Sequence, residues 1–147
     1  MAENEKNLTL VENSSIVGGI GDGSNAYNSL PCNTQSEKIA FYNAINNPEK
    51  RVSDSVNIPI AMIGFYAEDV QCANEKTGEL ETCPRIVIMD KNGCSYVAVS
   101  FGVLSALKKL VNIFGEPTTW EKPIVIVPKT ITKGNKNITT LQLAEKQ

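Results

Sequence analysis

Residues 83–120, CPRIVIMDKNGCSYVAVSFGVLSALKKLVNIFGEPTTW, decide the reading of this chain, because three structural signals follow one another there without a gap. Pro84–Met89 is a β-branched run, Asp90-Lys91-Asn92-Gly93 is turn chemistry with a glycine to take a positive φ, and Cys94–Ser100 alternates with period two. From Phe101 the period changes to that of a helix. Val103, Leu104, Leu107, Leu110, Val111 and Phe114 make its apolar stripe, Ser100 is the expected N-cap, and Gly115 and Pro117 end it. The stretch therefore predicts strand, turn, strand, helix and stop.

Upstream, Thr34–Asn47 is predicted to be a helix with a Thr34 cap, Glu37 three residues on and apolar Ile39, Phe41, Tyr42 and Ile45; Pro48 stops it. From Val56 the chain turns β-rich. A long strand runs to about Ala73 with Gly64 in its middle, where a bulge or bend is expected, and Lys76-Thr77-Gly78-Glu79 turns it back. Downstream of the helix, Ile124–Thr132 and Asn137–Leu143 flank the turn Lys133-Gly134-Asn135-Lys136. Long bent strand, strand, strand, helix, strand, strand is the order of an OB-fold, a mainly β, five-stranded Greek-key barrel whose helix joins the third and fourth strands. A generic five-stranded α+β domain has the same order.

The expected organisation is a flexible N-terminal arm over 1–32 and an OB-fold domain with its leading helix over 33–147. The arm contains the string GGIGDG (18–23), which resembles a phosphate-cradling loop but has no preceding strand and no placed lysine. The N-terminus lacks the apolar core of a secretory signal and no apolar run reaches membrane-spanning length, so a cytoplasmic protein without membrane contacts is expected. The chain has four cysteines, no Cys-x-x-Cys pair and no histidine. Reduced thiols are expected, with neither a zinc site nor any other cofactor, and the commonest general base is missing. Glu68, Asp69, Glu75 and Glu79 could be read as a metal-binding carboxylate cluster, but a solvated charge run at a strand end accounts for them.

The net charge of −2 conceals an asymmetry. Residues 1–100 carry 7 basic and 13 acidic side chains, residues 101–147 carry 7 and 3. A localised basic groove on an acidic protein fits this division, as does a solvated lysine face. Closing the second turn with Asp90 paired to Gly93 sets Ile86 opposite Val97 and Arg85 opposite Ala98. Arg85 and Tyr96 then share the outer face, a trough where a base stacks on the ring and a phosphate meets the guanidinium. The same reasoning places Cys72 opposite Cys83, sends Phe65 inward and leaves Tyr66 outside. Lys129, Lys133 and Lys136 lie on the last hairpin, which in an OB-fold closes over nucleic acid. Trp120, between Pro117 and Pro123, reads as a plug at the barrel end or as a further stacking ring, and Lys108 and Lys109 read as the solvated side of the helix.

PRIVIMDKNGCSYVAVSFG, then FGEPTTW and a basic terminal hairpin, with FYNAINNPEKRVSDSVN upstream, resembles the single-stranded DNA-binding proteins of bacteriophages of Gram-positive bacteria and related mobile elements. The likeness covers roughly Ile39 to Leu143. It implies sequence-tolerant binding and protection of exposed DNA during replication or recombination, without catalysis, in the cytoplasm of a host cell and alongside replication proteins. The expected contact residues are Arg85, Tyr96, Lys129, Lys133 and Lys136, with Tyr66 and Trp120 as secondary members. The ending LQLAEKQ does not match the acidic tail by which bacterial counterparts recruit partners, so neither that recruitment nor a tetramer is carried over. A protein-interaction module on the same barrel is the competing expectation.

Overall fold

The computed structural model describes residues 26–147. The glycine string GGIGDG and most of the expected arm lie outside the described residues. The order is β1 (Ala26–Asn28), α1 (Gln35–Asn46), β2 (Lys50–Arg51), β3 (Ile60–Ala73), β4 (Leu80–Asp90), β5 (Ser95–Val99), α2 (Phe101–Phe114), β6 (Ile124–Lys133) and β7 (Lys136–Leu143), with 3₁₀ turns at Val52–Ser55 and Pro117–Thr119. The strands form one sheet in the order β2-β5-β4-β3-β6-β7, with β1 on the edge of β3. It is a mainly β structure with two helices, its sheet curled into a half-barrel. Two short strands join the five expected ones, and among the described residues the end strands β2 and β7 do not pair, so β7 meets neither β2 nor β5 and the sheet stays open there. Tyr27 packs against Phe65 at 5.2 Å between centroids with the rings tilted by 37°, and Ser29 and Leu30 are buried.

Gly64 sits where β3 shifts register between Met62 and Gly64, at the predicted bulge. A side chain there would collide with Ser29, whose hydroxyl donates to the Phe65 carbonyl at 3.0 Å and accepts the Phe65 N–H at 2.9 Å. The bulge lets β3 serve two neighbours on one edge: Ile60–Met62 pairs with β6, and Tyr66–Glu68 pairs with β1. Phe65, Ala67, Ile86, Ile88, Ile124 and Ile126 fill the concave side, closed by Val103, Leu104, Leu107 and Leu110 of α2. Ser100 caps α2 by accepting the Val103 N–H at 3.1 Å, and Gly115 ends it at φ 84°. Leu30, Ala44, Val87 and Met89, with Phe41 and Tyr66, make a second layer on the convex side, under α1.

The β4–β5 turn corrects the expected register. Asp90 pairs with Cys94, not with Gly93, across a three-residue loop. Its N–H donates to the Cys94 carbonyl at 2.9 Å, its carboxylate accepts the N–H groups of Asn92 and Cys94 at 2.8 and 2.9 Å, and Gly93 takes φ 85°. Ile86 therefore faces Ala98 and Arg85 faces Val99. A slip of one residue inverts every side chain of β5 relative to the expectation. The β3–β4 hairpin departs by two: Cys72 faces Glu81 and Cys83 faces Val70. An even shift changes the partners and keeps the face, so the two thiols sit diagonally on the same side.

Candidate nucleic-acid interface

The one-residue slip separates the two residues on which the expected trough depended. Tyr96 turns into the concave core, 6% exposed, and its hydroxyl donates to Asp90 Oδ2 at 3.1 Å. Burial first, then the hydrogen bonds to Cys94 and Asp90, hold its phenol far above the ordinary tyrosine range. Arg85 stays on the convex side, where Nη1 pairs with Glu68 Oε2 at 3.1 Å and Nη2 donates to the Ile45 carbonyl at 2.6 Å. Tyr66 points outward as expected, but Phe41 of α1 meets its ring edge-on at 5.5 Å and its hydroxyl donates to Glu68 Oε1 at 3.3 Å. Its pKa is raised, chiefly by burial and then by the Glu68 charge. Tyr66, Glu68 and Arg85 thus form one network that fastens the C-terminal end of α1, whose last carbonyls need donors. Trp120 donates from Nε1 to the Gly115 carbonyl at 2.9 Å and packs on the core, the plug reading.

The last hairpin has a different character. The turn Gly134-Asn135 pairs Lys133 with Lys136, and Gly134 supplies φ 62°. Alternation from that register places Lys129, Ile131, Lys133 and Lys136 on one face. Lys129 donates to Asn57 Oδ1 at 2.8 Å, whereas Lys133 and Lys136 are exposed at the tip. Residues 124–143 contain three lysines and no carboxylate.

A groove of about 830 Å³ opens between α2 and this hairpin, and a smaller hollow of about 220 Å³ adjoins it where β5 and β7 fail to pair. The two share Val99, Ser100 and Thr139. Arg51, Lys109 and Lys133 supply their charges, Phe101 and Phe114 their rings, and no Asp or Glu lines either. Phe101 and Arg51 were not among the expected contacts, and Lys109 was expected only on the solvated side of the helix. One signal was available: Phe101 follows the N-cap but lies off the stripe of Val103, Leu104, Leu107 and Leu110, so its ring falls at the groove mouth, 57% exposed.

The carboxylates collect elsewhere. Beyond Glu68, β3 pairs with β4 alone, and before Arg85, β4 pairs with β3 alone, so residues 69–84 form a two-stranded arm projecting past the sheet. It bears Asp69, Glu75, Glu79 and Glu81 against Lys76. No group of three or more His, Cys, Asp or Glu suited to a metal ion occurs among the described residues. The four cysteines are free thiols; Cys83 is pushed up to about 11 by its hydrogen bond with Cys72 and then by burial.

A curled sheet with a cationic hairpin beside an open, carboxylate-free groove has the makings of a binding module for a polyanion. The comparison with protein families supplies the particular case. Residues 23–144 match the family of phage single-stranded DNA-binding proteins, and the chain belongs to that family. Its ligand class is single-stranded DNA, and the family is not an enzymatic one. Comparison with curated proteins and with solved structures gives no significant match.

Proposed function

We propose that this protein coats unpaired phage DNA without regard to sequence, in the host cytoplasm during replication or recombination, and that its half-barrel is a variant of the OB-fold. The helix between the third and fourth long strands and the bulged, bent first long strand support the fold assignment. The strand of DNA follows the carboxylate-free trough: Arg51, Lys133 and Lys136 meet phosphates, with Lys129 at the base of the hairpin, and Phe101 offers a face to a base. Tyr96, Arg85, Tyr66 and Trp120 support the scaffold in this reading, because each is committed to contacts inside the protein.

The observation that carries the reading is the coincidence of exposed ring and unopposed cations in one continuous hollow. Stacking on an aromatic is worth about 1–3 kcal/mol per base and tolerates any base, and each phosphate neutralised adds about 0.7 to the salt slope for a single strand. The test is an anisotropy titration with labelled oligo-dT and with duplex at two salt concentrations. Phe101→Ala should weaken oligo-dT binding by about 1–3 kcal/mol at constant salt slope. Lys133→Ala with Lys136→Ala should lower the slope by about 1.4. Unchanged binding in both variants would remove the trough from the site.

A further inference from the structure

The two long hairpins leave the molecule in opposite senses and with opposite charge. β3 and β6 are antiparallel and pair only through Ile60–Met62 and Ile124–Ile126; from that shared segment β3 runs on to the acidic arm and β6 runs the other way to the lysine hairpin. In an OB-fold, nucleic acid lies between the corresponding two loops. Here only one of them suits a phosphate backbone. The arm carries four carboxylates against one lysine over residues 69–84 apart from Arg85 at the body, a sign that repels DNA. At its tip Leu80 stands 71% exposed between Glu79 and Glu81.

The opposite end of the molecule presents the complement. The groove beside α2 continues past Phe101 to Ile113, Phe114 and Leu143, and Ile113 is 75% exposed. Lys109 lies one turn before Ile113 on the same helix face. An apolar slot with a lysine on its rim matches an apolar side chain next to a turn glutamate on an acidic arm. We propose that the acidic arm of one copy docks through Leu80 into the Ile113–Phe114–Leu143 end of the groove of the next, with Glu79, in the turn before β4, against Lys109. This contact is heterologous, joining two different surfaces, so it propagates from copy to copy in an open row. The Phe101–Lys133 end stays clear for DNA. Neighbouring copies on one strand then hold each other, and binding to long strands is cooperative.

The contact itself does not depend on the proposed DNA path, so the first test uses the full chain without DNA. Sedimentation velocity over rising concentration should show association that Leu80→Glu abolishes and Ile113→Glu abolishes, both side chains being exposed so that the thermal melts stay those of the parent. Mixing the two variants should restore a single junction and give a heterodimer that grows no further, since one keeps an intact groove and the other an intact arm. On poly(dT) the parent should bind about tenfold more tightly per site than on the shortest oligo-dT that saturates one copy, a surplus of about 1.4 kcal/mol. Leu80→Glu, which lies outside the groove, should lose that surplus and keep the short-oligomer affinity; Ile113 lines the groove, so Ile113→Glu is read by sedimentation.

The charge-reversed pair Glu79→Lys with Lys109→Glu should recover part of the association that either substitution alone removes. Association that survives both variants, or one that Ile113→Glu breaks and Leu80→Glu leaves intact, would overturn the proposal; the second pattern would mean a symmetric contact or a different occupant. A mixture that fails to form the heterodimer overturns it as well. Loss of short-oligomer binding in Leu80→Glu would mean that the arm itself meets DNA and would overturn the proposal.

Discussion

Tyr96 shows how much hangs on one turn residue. Its phenol donates to Asp90, whose other carboxylate oxygen organises the loop that placed Tyr96 inside. Tyr96→Phe should therefore cost about 1 kcal/mol in urea unfolding and leave oligo-dT affinity unchanged, a pairing of results opposite to that of a stacking ring. The correct register had a visible trace in the sequence. Gly93 is the third residue after Asp90, the left-handed position of a three-residue hairpin loop, and reading the loop as two residues inverted β5. Arg85 belongs to the same lesson: it carries a charge on the face expected for DNA, yet both its terminal nitrogens are engaged, Nη1 with Glu68 and Nη2 with the Ile45 carbonyl. No pattern in one strand reveals which helix will cover it. Tyr27 makes a sharper test of a single side chain. Burial, with the Glu116 charge second, pushes its phenol from 10.0 to about 12. A raised acid contributes stability that is whole below the unfolded value and disappears as pH climbs through the folded one. An alkaline denaturation series should show a decline between those two pH values that Tyr27→Phe makes shallower, the raised Tyr96, Tyr66 and Cys83 supplying the rest.

Among elements, the helices and hairpins were readable because local chemistry fixes them. The capping box at Thr34 forms, with Glu37 accepting the N–H groups of Thr34 and Asn33 at 3.0 and 3.1 Å. Those N–H groups hold the Glu37 carboxyl below the usual range. A depressed acid stabilises above its unfolded pKa and ceases to as pH falls through the folded one, so the first turn of α1 should fray on acidification, and Glu37→Gln should make its amide exchange less dependent on pH. What α1 rests on was not readable. Its apolar residues do not all face one way: Phe41 and Ala44 turn to the sheet while Ile39 and Tyr42 remain exposed. The contact of α2 with β7 was equally hidden, since it depends on an absence. Ser100 Oγ donates to the Thr139 carbonyl at 3.3 Å, and a Cβ on Gly102 would overlap that same oxygen. Gly102→Ala should cost about 1–3 kcal/mol through overpacking at the root of the lysine hairpin, read as a lowered midpoint in thermal unfolding.

At the scale of the whole molecule, composition alone would have argued against a DNA ligand, and the division of charge along the chain was compatible with a basic groove but fitted a solvated lysine face as well. The order of long strands was legible, as was the basic hairpin. Neither the two added short strands nor the open seam between β5 and β7 left a signature, because β2 has two residues and β1 three, too few for any period to register. The groove and its adjoining hollow open at that seam, so the proposed interface rests on the part of the fold that no local pattern encodes.

The opposed hairpins have one more consequence, for how the protein meets its ligand. Seen from far away it is an anion, and a strand of DNA should repel it; seen from close by, one pole is cationic. Which view prevails depends on the reach of the field, about 30 Å at 0.01 M salt and about 8 Å at 0.15 M. Capture rates on oligo-dT should thus pass through a maximum as salt is lowered in stopped-flow mixing, since at the lowest ionic strength the distant acidic pole comes back into play.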